Sequence, residues 1–292
     1  YLHCAIDRAD LIINVGHDVT EKPPFFMEKG GKKVIHINYS SSAVDDTYFP
    51  QFDLLGDISE NIMLLQAQVT NQEHWDFDYF LRVKEETEEH LEKYFADERF
   101  PILPQRAVKA VRDVLGKEDI VTLDNGIYKI WFARDYKCFA PNTMLLDNAL
   151  ASMGAGLPSA IAAKIIYPDK KVVCVSGDGG FMMNSQELET AVRLRLDMVV
   201  IVLNDSAFGM IKWKQEGMGM ENFGLDYDNP DFVLHAQSYG AHGYRPESVE
   251  AFVEILEKVI DEKGVHLIDV AVDYSLNHPI LNELLKNKTC LV

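Results

Sequence analysis

The chain has 292 residues, 47% of them hydrophobic and 25% charged, which is globular composition, excludes a disordered polymer and leaves room for two domains. Forty-six acids against 28 bases give a net charge of −18, the wrong sign for a nucleic-acid or anionic-membrane partner. No apolar run reaches the roughly 18 residues that a membrane helix needs, no basic leader precedes the first strand, and four scattered cysteines (Cys4, Cys138, Cys174, Cys290) fit a reducing, cytoplasmic setting.

In chain order, residues 11–15, 34–38 and 53–57 read as strands and 59–65 as a helix, punctuated by Gly16 and the pair Gly30-Gly31. This is the pattern of the latter half of a small α/β domain. His17 and His36 flank the strands without a second ligand at metal spacing and read as structural. Residues 66–100 are polar, with a Glu-rich helix over 83–94, and form a connecting segment. Pro101 and Pro104 mark the next boundary, followed by a helix over 105–115 and a strand over 120–123 ending at Asp124-Asn125-Gly126. A small-residue helix begins near Leu157. Val-rich runs at 172–177 and 198–204 read as strands buried on both faces. Between them a helix is expected from Asn184 as N-cap, with Glu187 three positions on. Pro246 is expected to open a last helix before a strand at 267–272. The alternation predicts an α/β fold: a doubly wound, mostly parallel sheet with helices on both faces, preceded by part of a second α/β domain. The expected divisions are 1–65, 66–100 and 101–292.

Asp178 and Asp205 lie 27 positions apart, each at the end of one of the two Val-rich runs. A crossover unit sets such strands parallel and close, so both carboxylates emerge at the carboxyl edge of the sheet, where open α/β sheets bind ligands. Two like charges there call for a cation, and Mg²⁺ takes one or two carboxylates plus phosphate oxygens. Gly177, Gly179 and Gly180 let backbone N–H groups approach a phosphate. The plainer alternative is a tight strand-to-helix turn with an exposed acid.

Gly177-Asp178-Gly179, then 24 residues, then Asn204-Asp205 resembles the motif of thiamine diphosphate-dependent enzymes. The run Gly-Asp-Gly-Gly-Phe…Glu-Leu-Glu-Thr-Ala-Val-Arg-Leu…Asn-Asp is similar to the acetolactate synthase branch, over about 119–277 with a weaker echo in the first 60 residues. The resemblance implies that Asp178, Asp205 and the main-chain oxygen of Ala207 hold Mg²⁺, although many family members carry Asn where Asp205 stands. It places Gly126, Ile127 and Tyr128 in a turn that offers backbone N–H groups to the diphosphate, where a plain βα turn is the alternative. Gly179 and Gly180 flank the same group. Ser152 and Met153 fall where the family props thiamine diphosphate into its bent form, although a lone Met is more often core filler. Phe208, Gly209 and Met210 line the cofactor. Ile211, Trp213 and Lys214 face substrate, with Phe208 and Trp213 equally readable as packing aromatics.

The activity so implied joins two pyruvates into 2-acetolactate with loss of CO₂, the cofactor serving as electron sink. Other 2-oxo acid decarboxylases, carboligases or oxidases of the superfamily, and a non-catalytic cofactor-binding module, are the rival readings. Lys214 stands where related synthases often have Gln or Trp, which leaves the second 2-oxo acid open, and the pathway is open too. Flavin-carrying relatives have an Arg-bearing segment where this chain reads Gly16-His-Asp-Val-Thr-Glu-Lys22, so FAD is not expected. The family's activating Glu belongs to a pyrimidine-binding domain that nothing here matches. The chain is therefore expected to be the C-terminal portion of a homodimeric or homotetrameric enzyme, inactive alone.

Overall fold

The computed structural model describes residues 2–17, 26–148 and 150–283. Its described residues form two compact units, the first up to His90 and the second from Leu91 onward.

The first unit opens with helix α1 (Leu2–Arg8) and holds three parallel strands, β1 (Leu11–Val15), β2 (Lys33–Asn38) and β3 (Phe52–Leu55), in that order across the sheet. Helix α2 (Ile58–Gln68) follows, started by Asp57, whose carboxylate accepts the Glu60 N–H at 2.9 Å. His36 is buried and bonds Tyr48 Oη at 2.9 Å through Nδ1, so it is a structural histidine as its setting suggested. The Glu-rich helix is longer than its pattern, running as α3 (Asp78–Glu92). Cys4 is disulfide-bonded, which the scattered spacing did not suggest, whereas Cys138 and Cys174 are free thiols. Cys290 and residues 18–22 of the segment compared with flavin carriers lie outside the described residues.

The second unit is a six-stranded, all-parallel sheet. Its elements run α4 (Pro104–Val114), β4 (Ile120–Leu123), α5 (Tyr128–Asp135), β5 (Met144–Leu146), α6 (Gly156–Ile166), β6 (Val172–Gly177), α7 (Asp178–Asn184), α8 (Leu188–Arg193), β7 (Met198–Asn204), α9 (Gly209–Gly217), α10 (Phe232–Ser238), β8 (His242–Tyr244), α11 (Val249–Val259) and β9 (Val265–Ala271). The strand order is β5-β4-β6-β7-β9-β8.

Each central strand sends alternate side chains to opposite faces, as a period of two requires. Val173, Val175, Ile201, Leu203 and Val270 join one core with Trp131, Phe132 and Phe252, from α5 and α11. Cys174, Val200, Val202 and Leu267 join the other with Ile161, Phe181 and Phe232, from α6, α7 and α10. Both faces are covered, which is why the runs are apolar without alternation; each such side chain contributes about 1.5–3 kcal/mol on burial. After β4 the chain moves outward to β5, then returns to lay β6 on β4's other side. The switch point is therefore the crevice between the carboxyl ends of β4 and β6.

Three local expectations fail. The helix after β6 starts at once at Asp178, with Gly177 as its N-cap, and breaks into a 3₁₀ turn over Ser185–Glu187. Asn184 precedes that turn without a side-chain cap bond: its Oδ1 accepts the Gln186 side-chain amide at 3.2 Å, and its Nδ2 donates to the Gly154 carbonyl at 2.8 Å. Helix α11 begins after Ser248, whose Oγ accepts the Ala251 N–H at 3.1 Å, and Pro246 precedes it in the loop. Among the described residues, no helix is long and apolar enough to cross a membrane.

Candidate functional site

A pocket of about 420 Å³ of atom-free space lies at this switch point and extends to the end of β7. Three strand-to-helix turns build it. The turn after β4 supplies Gly126, Ile127 and Tyr128, and the one after β6 supplies Asp178, Gly179 and Gly180. The turn after β7 supplies Asp205 and Ala207–Ile211, while Met153 reaches in from the loop before α6. Thirteen residues expected from the sequence thus meet in one cavity. Ser152, Trp213 and Lys214 do not join it. Ser152 is exposed, and its carbonyl accepts the Asn125 amide at 2.8 Å. The Trp213 indole packs on the core and donates to Asn282 Oδ1 at 2.7 Å, and Lys214 is exposed. One turn of α9 separates them from Gly209 and Met210, which line the pocket, and of the expected substrate-facing group Ile211 alone does so.

Asp178 is 1% exposed, yet its carboxylate is well provided for: Oδ1 accepts its neighbour Gly179's N–H at 2.9 Å and Oδ2 accepts the Asn229 amide at 2.7 Å. Burial raises its pKa above the ordinary carboxylate value, against the lowering effect of those donors. Asp205 is pushed up to about 7, first by burial and next by the negative charge of Asp178. The kink that follows is set by Ser206, whose φ of 51° lies in the left-handed region. Tyr227 then donates to the Ala207 carbonyl at 3.3 Å and its ring packs on Phe208 with centroids 4.9 Å apart.

The glycine at 179 is there for want of space: a β-carbon would stand 2.7 Å from Tyr227 Oη and 3.4 Å from Met153 Cε. Tyr128 is buried with its hydroxyl unpartnered among the described residues, and burial raises its pKa well above the ordinary phenol value. No Lys, Arg or His lines the cavity among the described residues, and none of their His, Cys, Asp and Glu side chains form a metal cluster of three or more. Two carboxylates that oppose each other's ionisation and a neighbouring main-chain carbonyl therefore stand without a basic side chain. That donor set suits a hard divalent cation which brings phosphate oxygens with it.

Three contributors escaped the sequence reading. Asp124, 1% exposed, accepts the Gly154 N–H at 2.8 Å and the Ser176 hydroxyl at 3.0 Å, stapling the ends of β4 and β6 to the Met153 loop. Its signal was present, an acid ending an apolar run like the other two. Tyr274, which follows β9 and lines the pocket, and Asn229, in an Asn-Pro turn, carry no local signal.

Residues 124–270 match the family model described as "Thiamine pyrophosphate enzyme, C-terminal TPP binding domain". The chain is 33% identical over 281 residues to an acetolactate synthase of Bacillus subtilis (strain 168), covering 93% of this chain and 48% of that protein. It is 31% identical over 283 residues to a catabolic acetolactate synthase of Raoultella terrigena, with 95% and 50% covered. Against the acetolactate synthase isozyme 2 large subunit of Escherichia coli (strain K12), identity is 30% over 278 residues, with 92% and 49% covered. The chain spans about half the length of the curated relatives it matches. With pocket, strand-tip acids and family match falling on the same residues, the chain belongs to the thiamine pyrophosphate enzymes and carries their C-terminal TPP binding domain.

Proposed function

We propose that this chain is the C-terminal portion of an acetolactate synthase, which converts two pyruvates and a proton into 2-acetolactate and CO₂. The observation that carries the reading is the pairing of Asp178 with Asp205 in a pocket without a basic side chain. The names of the similar proteins direct it to this reaction. In this reading Asp178, Asp205 and the Ala207 carbonyl would hold Mg²⁺, which would offset the charge of a diphosphate. Backbone N–H groups of Gly126–Tyr128 and of Gly180 would bind diphosphate oxygens, and Gly179, whose N–H is engaged by Asp178 Oδ1, would give the group room to approach. Bound thiamine diphosphate supplies an electron sink for decarboxylation of a 2-oxo acid. Met153 would support the cofactor, Phe208, Gly209 and Met210 would flank it, and Ile211 would offer an apolar surface to the substrate.

Residues 101–292 serve as the diphosphate-binding domain in this scheme and 1–65 as half of the central α/β domain. The activating Glu comes from a pyrimidine-binding domain in a cytoplasmic homodimer or homotetramer that carries no FAD. Incubating the intact enzyme with pyruvate, thiamine diphosphate and Mg²⁺ tests the proposal. 2-Acetolactate is the expected product, and acetaldehyde or acetyl phosphate in its place overturns it.

A further inference from the structure

Residues 225–227 run antiparallel to the turn that follows β7: the Phe208 N–H donates to the Leu225 carbonyl and the Tyr227 N–H to the Ser206 carbonyl, both at 3.0 Å. This strap delivers Asn229 to the ends of β6 and β7. Its Nδ2 has two hydrogens and two close acceptors, Asp178 Oδ2 at 2.7 Å and Asn204 Oδ1 at 3.0 Å; Ser206 Oγ stands farther off at 3.3 Å. An amide can turn either end to a carboxylate, and the oxygen end would repel it. Asn204 decides the matter by presenting its oxygen. Asn204 in turn is oriented because its own Nδ2 donates to Asp269 Oδ1 at 2.9 Å, and an ionised carboxylate accepts only.

Asp269 is 3% exposed and held on its other oxygen by Arg245 Nε at 2.9 Å. The same guanidinium reaches Asp231 Oδ1 at 3.0 Å, and Asp231 caps α10 two residues beyond Asn229. The chain of contacts thus closes on itself across four strands, and every donor and acceptor in it has one allowed direction. Neither Arg245 nor Asp269 lines the pocket.

We propose that Asn229 is a positioning residue for Asp178, and that Arg245, Asp269 and Asn204 act through it by fixing the amide end that faces the metal ligand. The proposal rests on the reading of Asp178 as a ligand. Groups that orient a metal ligand typically alter metal affinity 10–100-fold when removed.

The test is the Mg²⁺ concentration for half-saturation of the intact enzyme at saturating thiamine diphosphate, followed by quenching of tryptophan fluorescence. The electron paramagnetic resonance spectrum of Mn²⁺ bound in place of Mg²⁺ is read alongside it. Asn229→Leu is expected to raise the half-saturation value about 10–100-fold and to change the Mn²⁺ spectrum. Asp269→Asn is expected to raise it in the same direction, and the double variant to be no worse than Asn229→Leu alone, since both act on one contact. A lowered melting temperature with unchanged Mg²⁺ dependence and Mn²⁺ spectrum would reduce Asn229 to a structural part and overturn the proposal. Asp178→Ala separates the two layers: lost saturation there with an unaffected Asn229→Leu sinks the positioning role alone, whereas saturation surviving Asp178→Ala sinks the ligand reading and the proposal with it.

Discussion

Asp178 and Asp205 face one cavity from the ends of adjacent strands, and the charge of the first raises the second's pKa. Like charges held so close are stable as a pair when a cation joins them. Asp178→Ala is expected to abolish Mg²⁺-dependent binding of thiamine diphosphate by the intact enzyme. Asp205→Asn keeps an oxygen ligand and removes a charge, so binding should persist at a higher Mg²⁺ requirement. Calorimetric titration with and without Mg²⁺ checks both, and unchanged affinity in Asp178→Ala would show the ion is held elsewhere.

Gly209 tests how tightly the same carboxylate is placed. A β-carbon there would stand 2.8 Å from Asp205 Oδ2 and 3.2 Å from Ile127 Cγ2. Gly209→Ala must push one of them, and the carboxylate is the side chain that the ion needs in place. The residue opens α9, where alanine is a good helix former. Thermal stability should therefore change little while the Mg²⁺ requirement rises. A variant that binds as tightly as the parent would mean that Asp205 has room to spare.

How much of this was legible in the sequence depends on the range of the interactions involved. The strands β6 and β7 and their terminal acids were plain, because a doubly covered parallel strand must be an apolar run and its first polar residue marks the edge. Strands β5 and β8, three residues each at the two edges of the sheet, are too short to show a period. Asn184 satisfied the local rule for a helix cap, but its oxygen accepts the Gln186 side chain and its amide reaches a carbonyl 30 residues earlier. Trp213 followed the motif onto the right helix, and its indole is committed to Asn282, 69 residues away. Asn229 and Tyr274 likewise owe their places to contacts no local pattern encodes.

Trp213→Phe tests which role the residue has. It removes the hydrogen bond to Asn282 and keeps most of the aromatic packing. The loss should be about 1 kcal/mol of stability, with affinity for thiamine diphosphate and the Michaelis constant for pyruvate unchanged. Denaturant unfolding and steady-state kinetics read the two effects separately. A shift in the pyruvate constant with stability intact would return Trp213 to the substrate side.

Asp135 closes α5 far from this chemistry and sets the expected pH dependence of stability. It is 6% exposed, and both carboxylate oxygens are buried without a hydrogen-bond partner among the described residues. Burial raises its pKa from 3.8 to about 7, with Arg134 on the same helix pulling the other way. Glu92 and Glu98, Arg106, Lys109 and Arg112 of α4, and Lys137 surround the cleft beside it. Between these two values the native state holds a proton that the unfolded chain has released, so stability falls as pH rises. The contribution is whole below about pH 4 and lost once pH passes about 7, with a ceiling on the order of 4 kcal/mol at 1.36 kcal/mol per unit. Asp135→Asn cannot ionise, so it should flatten the curve over that window and stabilise the protein at pH 8. Chemical denaturation at pH 5 and pH 8 decides the matter: equal slopes in parent and variant would mean that Asp135 finds a partner in solution.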